Sequence, residues 1–270
     1  MYNLKSEKQE TVIKCLVDGN SIRSTERITG VHRDTIMRLL CRAGANCEKI
    51  MDSEMRNLAC ERLQLDEIWQ YVGKHQRRLK PEDDPTRMGD FWTFVAIDAD
   101  TKLIPSYRIG KRTLETAVEF IDDLSDRLEN RVQISSDSLR AYVDAIEAVF
   151  GANVDYAQIV KSYEAEPIGP GRYSPPRVAK IEKFIKWGNP DPDHISTSYI
   201  ERSNLTMRMS IRRMTRLTNA YSKKLENFKA AVALHFAYYN FCRVHQSLRT
   251  TPAMAAGVSN RILEIGEIIA

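Results

Sequence analysis

This sequence lacks an apolar segment long enough to span a membrane, and its cysteines do not form a typical metal-site or disulfide pattern. The longest largely apolar stretch, Phe228 to Phe241, is interrupted by Lys229 and His235 and is shorter than the roughly 20 residues that a bilayer requires. The five cysteines include no Cys-x-x-Cys pair and are odd in number, which favours reduced thiols in a cytoplasm. Residues 1–8 also lack the apolar core of a secretion signal, so we expect a cytoplasmic protein without membrane contact.

The net charge is small, but the basic residues are clustered. Forty Lys and Arg against 36 Asp and Glu give a formal net charge of +4. Basic clusters at residues 74–80 and 212–224 matter more for nucleic-acid binding than this sum, although the first is equally well explained as a solvated hairpin loop. A length of 270 residues with 43% hydrophobic content predicts one sizeable domain and a small one.

Residues 1–50 show the pattern of a small all-α, helix-turn-helix DNA-binding domain. Two short amphipathic segments precede the turn at residues 29–31, and a third helix begins at Arg33. The side chains predicted to point outward from this helix are mostly short and polar or basic, as base contact requires: Arg33, Asp34, Thr35, Arg38 and Arg42. The alternative is a plain three-helix bundle with a solvated polar face. Residues 51–61 are predicted to be a linker.

Residues 62–250 are predicted to form an α/β domain. Short turns join the first three strands and helices separate the later ones, which indicates a mixed sheet with helices on its faces. The predicted strands cover residues 62–73, 91–97, 102–109, 132–136 and 153–160, and the helices between them cover 114–128 and 139–150. Six of the ten prolines lie in residues 163–195, which predicts a long insertion loop. Residues 251–270 are expected to be a C-terminal tail.

Three acidic residues occupy positions that are typical of catalytic side chains. Asp66 lies inside the first predicted strand, a poor place for an aspartate unless it lies at an edge or serves a reaction. Asp137 directly follows the fourth strand, and Glu201 lies in the first turn of an amphipathic helix. On that helix alone, the favoured interpretation of Glu201 is a complement to the helix dipole, and the other two acids change this balance. Asp98 is a rival to Asp66, but it opens a turn sequence that offers its carboxylate a local backbone partner, and we favour that role.

The three acids belong to longer motifs that resemble one family. The motifs are LDEIWQYVG at 65–73, SDSLRAY at 136–142, YIERSNLTMR at 199–208, YYNFCRVHQSL at 238–248 and TPAMAAG at 251–257. Together they resemble the DDE transposases of bacterial insertion sequences, most of all the insertion-sequence-one (InsAB′-type) group. The resemblance covers roughly residues 8–257 and implies a ribonuclease H-like catalytic core.

The resemblance also implies a site and its partners. Asp66, Asp137 and Glu201 would be the catalytic residues and the ligands of two Mg²⁺ ions, for which Mn²⁺ can substitute. This agrees with the chemistry, because two divalent ions about 4 Å apart can stabilise charge on both oxygens of a phosphodiester transfer. The N-terminal helices would bind the terminal repeats of the element, and a homodimer in the bacterial nucleoid would join two DNA ends. Four basic residues on and after the Glu201 helix would contact the phosphate backbone: Arg202, Arg208, Arg212 and Arg213. Members of the group often carry a four-cysteine zinc ribbon that this sequence lacks, so we predict no zinc.

Two other function classes are compatible with parts of the pattern. A DNA-binding protein without catalysis, such as a repressor or an inactive remnant, would share the N-terminal helices, but the complete set of three acids argues against it. A related ribonuclease H-like nuclease or resolvase would share the core, whereas the motif at 238–248 and the N-terminal helices favour a transposase. Inverted repeats flanking the coding region would discriminate between these classes.

Overall fold

The computed structural model describes residues 4–164 and 177–269, which form a six-stranded sheet with helices on both faces. In chain order the elements are α1 (Ser6–Val17), α2 (Ile22–Thr29), α3 (Arg33–Glu54), β1 (Arg62–Val72), β2 (Gly89–Asp98), β3 (Tyr107–Gly110), α4 (Leu114–Ser125), β4 (Val132–Ser136), α5 (Arg140–Phe150), β5 (Val154–Glu164), β6 (Arg177–Trp187), α6 (Ser198–Ser210), α7 (Leu225–Ala237), α8 (Pro252–Ala255) and α9 (Ile265–Ile268).

The sheet has an antiparallel part and a parallel part. Its strand order is β3-β2-β1-β4-β5-β6, in which β2 is antiparallel to both of its neighbours, β1 and β3. β1, β4 and β5 run parallel to one another and are connected through α4 and α5, while β6 returns antiparallel to β5. An antiparallel three-stranded meander followed by parallel strands is the ribonuclease H-like arrangement. The predicted α/β class is therefore confirmed.

One face of the sheet is covered by α4 and α5. Phe94 of β2 packs against Phe120 of α4 and Tyr142 of α5, with ring centroids 6.0 Å apart in both pairs. All three aromatic side chains are fully buried, and aromatic burial of this size is a major source of core stability.

The opposite face of the sheet holds α6. Gln64 of β1 accepts hydrogen bonds through Oε1 from the backbone N–H groups of Tyr199 and Ile200, at 2.8 and 3.1 Å. Because the first N–H groups of a helix have no partner within it, this side chain satisfies them and fixes the start of α6 on the sheet. Ile200 and Met207 have no solvent exposure, which agrees with the amphipathic helix predicted around Glu201.

The N-terminal helices have the predicted order and exposure. Ser21 caps α2 by accepting a hydrogen bond from the N–H of Ser24 at 3.0 Å. Gly30 ends α2 with φ 68°, a left-handed conformation that favours glycine. On α3, Thr35 is half-buried and the other predicted outward positions are exposed: Arg33, Asp34, Arg38 and Arg42.

The predicted linker at residues 51–61 is packed against the rest of the chain. α3 continues into it, and Met51 and Met55 are buried. Upstream on α3, Gly44 meets α7 so closely that a Cβ atom there would lie 2.5 Å from the Cα of Ala230. As a result, α1–α3 share one continuous hydrophobic core with the sheet and α7.

The predicted insertion loop at residues 163–195 is wrong in its second half, which contains β6. The segment RVAKIEKFIKW contains no proline and is rich in residues that favour strands, and it pairs with β5. Residues 165–176, which hold four of the six prolines, lie outside the described residues. Pro190 and Pro192 follow β6. The prediction of a loop from the number of prolines therefore missed a strand that lies between them.

The third predicted strand is shorter than expected. It begins at Tyr107 rather than at residue 102, because Lys102 has a positive φ of 61° and Pro105 has no N–H to donate to a neighbouring strand.

The strongly apolar helix α7 lies inside the core. Phe228, Val232 and Phe236 have no solvent exposure. Among the described residues, no helix combines the length and the apolar character needed to cross a lipid bilayer.

Candidate active site

Asp66 and Asp137 follow the last paired residues of two adjacent parallel strands. The pairing of β1 with β4 ends where Leu65 lies opposite Ser136. Asp66 is the next residue of β1, and Asp137 directly follows β4. Both therefore lie side by side, where the pairing of these two strands stops. One carboxylate oxygen from each, together with one from Glu67, lies within 4.8 Å of the other two. Within the described part of the chain, this is the one cluster of three or more side chains suited to a metal ion.

Hydrogen bonds fix the orientation of both aspartates. Asp66 accepts through Oδ1 from the N–H of Glu67 at 2.9 Å and through Oδ2 from Asn204 Nδ2 at 2.7 Å. Asp137 accepts through Oδ1 from the N–H of Leu139 at 3.0 Å. Asn204 lies on α6, so the helix that carries Glu201 also orients Asp66.

The carboxylates of this cluster are harder to ionise than free ones. Burial, followed by the charge of Asp137, raises the pKa of Asp66 to about 6. The same two causes raise the pKa of Glu67 to about 7. Burial also raises the pKa of Asp137, although the Leu139 N–H and the Arg112 guanidinium lower it. The acids of the cluster therefore carry more negative charge than their surroundings compensate.

The donor set fits a divalent cation such as Mg²⁺. All the clustered donors are carboxylate oxygens, which hard cations prefer, and neither sulfur nor imidazole takes part. Glu67 Oε2 is buried without a hydrogen-bond partner among the described residues, so a cation could occupy its lone pairs. A cation would also supply the positive charge that the raised pKa values indicate is missing.

Glu201 lies beside the two aspartates, but its carboxylate does not join theirs. Its Oε1 accepts a hydrogen bond from Thr197 Oγ1 at 2.7 Å and forms an ion pair with Lys161 of β5. The predicted convergence of three carboxylates is thus observed for Asp66 and Asp137 only. The physical reason is electrostatic: the aspartates repel Glu201, whose negative charge contributes to raising their pKa values, and Lys161 attracts it.

Sequence reasoning missed Glu67 and Arg112. Arg112 Nε donates to Glu67 Oε1 at 2.9 Å, and the guanidinium lowers the pKa of Asp137. Strand alternation assigns Glu67 to the face opposite Asp66, so the sequence pattern does not indicate that the two carboxylates meet. The available signal was a second acid in the same strand, where acids are rare.

Asp98 occupies the turn that its sequence predicted. It is buried, and in the pairing of β1 with β2 it lies opposite Leu63. Leu63 precedes Asp66 by three residues on β1. Its carboxylate accepts hydrogen bonds from the N–H groups of Asp100 and Thr101 at 3.4 and 3.0 Å. The local role that we favoured for Asp98 is therefore confirmed.

The basic residues predicted on and after α6 differ in their exposure. Arg202 is exposed, whereas Arg208, Arg212 and Arg213 are half-buried. Arg208 Nη1 donates to the carbonyl of Met214 at 3.3 Å. Arg213 Nη1 donates to Ser222 Oγ at 3.2 Å. Arg208 and Arg213 thus each have one protein partner, and their contact with the phosphate backbone stays a prediction.

A basic cleft connects the N-terminal helices with the segment after α6. Its volume is about 690 Å³, and both Arg33 at the start of α3 and Arg212 line it. Three more cations contribute to the lining: Arg23, Arg213 and Lys223. The cleft therefore places several positive charges between the start of α3 and the segment after α6, among apolar side chains such as Ile22 and Met37.

Comparisons with known proteins give structural similarities only. No protein-family model matches the chain, and no curated protein matches it by sequence. A piggyBac transposase synaptic complex with hairpin DNA is 10% identical, with a TM-score of 0.44 over 99% of this chain and 70% of that one. The Mos1 strand transfer complex is 15% identical, with a TM-score of 0.24 over 58% of this chain and 59% of that one. Endonuclease V from Bacillus subtilis is 15% identical, with a TM-score of 0.26 over 70% and 87%. Two of these structures are of DNA transposases, but such scores and identities assign neither a family nor an activity.

Proposed function

We propose that this protein is a DDE-type DNA transposase of a bacterial insertion sequence, of the insertion-sequence-one (InsAB′-type) group. It would bind the terminal inverted repeats of its element and catalyse metal-dependent strand cleavage and strand transfer. The observation that carries the proposal is the meeting of Asp66 and Asp137 at the shared edge of β1 and β4, with the Glu201 helix docked beside them. The family motifs that contain these three acids support the same conclusion.

The chain's own contribution to the reaction is to hold and orient charge. Asp66, Asp137 and Glu201 would hold two Mg²⁺ or Mn²⁺ ions, which would stabilise charge on the attacking and leaving oxygens. Asn204 keeps one oxygen of Asp66 fixed, which limits the reorganisation that metal binding requires. Glu201 would exchange Lys161 for the cation, and Lys161 would then be available to a DNA phosphate.

The remaining basic surface would hold the DNA. α1–α3, within the proposed domain of residues 1–50, would recognise the terminal repeats through α3. The basic cleft would carry the phosphate backbone from α3 towards the proposed catalytic domain, residues 62–250, through charge-assisted contacts. Because two DNA ends must be joined, a homodimer on DNA is the simplest assembly. The site of action would be the bacterial cytoplasm, at the nucleoid.

A strand-transfer assay tests the proposed function. The purified full chain is incubated with Mg²⁺, a supercoiled target plasmid and a duplex that carries the inverted repeats flanking its coding region. We expect cleavage at the repeat end and covalent joining to the plasmid, both abolished by EDTA. Cleavage without joining would instead identify a related nuclease. Binding without cleavage would identify an inactive DNA-binding remnant.

The exposed start of α3 is predicted to supply base-specific contacts. Arg33→Ala, Thr35→Ala and Arg38→Ala should each weaken binding to the cognate end by about 1–3 kcal/mol, because each would lose a base contact. Fluorescence anisotropy at fixed salt measures the effect. Arg56→Ala, beyond the other end of α3 and paired with Asp52, is the matched control and should leave affinity unchanged. Equal losses on random DNA would show that these residues contact only phosphates.

A further inference from the structure

Glu67 is almost completely enclosed, although it neighbours a site that must admit DNA. Its side chain is 4% exposed, and it lies opposite Phe94 in the β1–β2 pairing, on the face covered by α4 and α5. Asp66, the preceding residue, faces α6 on the other side. An enclosed carboxylate is uncommon unless both of its oxygens have partners.

The two oxygens of Glu67 are in different situations. Oε1 accepts the hydrogen bond from Arg112 Nε at 2.9 Å and a second one from the same guanidinium. Oε2 is equally shielded from solvent, yet it has no hydrogen-bond partner among the described residues. Burial raises the pKa of Tyr142, and the neighbouring Glu67 adds to the rise through its charge and a weak hydrogen bond, although the tyrosine hydroxyl and Oε2 do not meet at normal hydrogen-bond geometry. Oε1 is thus held by two guanidinium hydrogen bonds, whereas Oε2 has no hydrogen bond of normal geometry.

We propose that Glu67 is a further ligand of the cation held by Asp66 and Asp137, with Oε2 as its ligand atom, and that Arg112 is its positioning residue. This inference rests on the metal site of the proposed function and adds a fourth carboxylate to the three of the family motif. It assigns a role to the second acid of the LDE motif.

The distances and the charges agree with this assignment. Ligand atoms of Asp66, Glu67 and Asp137 lie within 4.8 Å of one another, close to the roughly 4 Å that separates opposite oxygens around one Mg²⁺. Three carboxylates and the Arg112 guanidinium together carry a net charge of −2, which one divalent ion neutralises. A plain ion pair with Arg112 would not require an enclosed glutamate, because the guanidinium is itself 45% exposed and occupies only one oxygen.

Terbium luminescence tests the ligand assignment without relying on activity. Tb³⁺ is a hard cation that binds oxygen ligands, and its luminescence lifetimes in H₂O and D₂O report the number of bound waters. For Glu67→Gln we expect at least a tenfold loss of Tb³⁺ affinity and at least one additional bound water. The control is Glu119→Gln, which removes a carboxylate paired with Arg108 on the same side of the sheet and should match the wild type. Lower affinity with an unchanged number of waters would reveal only a loss of charge and would overturn the assignment, as would no change in either quantity.

Two further measurements keep the result decisive. If Glu67→Gln does not fold, Glu67→Asp is measured in the same way, because it keeps the charge but shortens the side chain by one methylene. At least one additional bound water is expected, and an unchanged number of bound waters would overturn the proposal. Asp66→Asn separates this failure from failure of the proposed function. If the wild type binds no Tb³⁺, or Asp66→Asn binds it equally well, the metal site itself is wrong. If only the Glu67 variant behaves as the wild type, the fourth ligand alone is wrong.

Discussion

Asp66→Asn is expected to abolish DNA cleavage and strand transfer while leaving end binding nearly intact. The substitution keeps the side-chain volume but removes the charge from a carboxylate that meets Asp137 at the edge of β1 and β4. Loss of cation binding would forfeit at least about 4 kcal/mol of transition-state stabilisation, which corresponds to a rate loss of roughly 1000-fold or more. The strand-transfer assay measures the rate, and anisotropy with the cognate end measures binding.

Asp98→Asn is the matched control for this prediction. Asp98 is also a buried acid of the antiparallel strands, but its carboxylate is bound to the turn that follows β2. This variant should retain Mg²⁺-dependent cleavage, provided that circular dichroism shows it to be folded. Cleavage retained by Asp66→Asn and lost by Asp98→Asn would reverse the assignment of the two acids.

Gly44→Val is expected to cause the largest loss of stability. Glycine to alanine in a helix normally stabilises by up to about 1 kcal/mol. Here even a Cβ atom would approach the Cα of Ala230 to 2.5 Å, so α3 and α7 would have to separate. We expect Gly44→Val to destabilise the fold by about 3 kcal/mol or more, and Gly44→Ala by less. Urea unfolding midpoints measure the difference.

Ala45→Val controls for the helix propensity of valine. Residue 45 is exposed on the same helix, so the substitution changes propensity without affecting the α3–α7 contact. If both valine variants unfold at the same urea concentration, the N-terminal helices do not depend on close packing against α7. The shared core would then contribute little to holding α3 in position relative to the sheet.

The elements that carry the aspartates could be predicted because their sequence patterns are local. β1 is rich in residues that favour strands and ends before Gly73, β2 is a largely apolar run, and Asp137 directly follows β4. β6 could not be predicted from proline content, because the prolines lie beside the strand rather than within it. The packing of α3 on α7 depends on Gly44 meeting Ala230, a contact between distant residues that no local pattern reports.

The sequence predicted that Asp66 and Asp137 lie close together, but it did not predict the position of Glu67 or the ion pair of Glu201. Asp66 and Asp137 meet because β1 and β4 are adjacent parallel strands whose pairing stops immediately before these two residues. Glu67 escaped prediction because its backbone position is on the opposite face, although its carboxylate reaches the same cluster. The ion pair between Glu201 and Lys161 depends on where β5 lies beside α6, which the sequence alone does not specify.

Anomalous diffraction from crystals of the full chain grown with Mn²⁺ is the most direct test of the proposed metal site. We predict an anomalous peak within direct ligand distance of the Asp66 and Asp137 carboxylates, with Glu201 turned from Lys161 towards it. The absence of a peak between these two aspartates, at Mn²⁺ concentrations that support cleavage, would contradict the central claim. So would a peak bound by other residues.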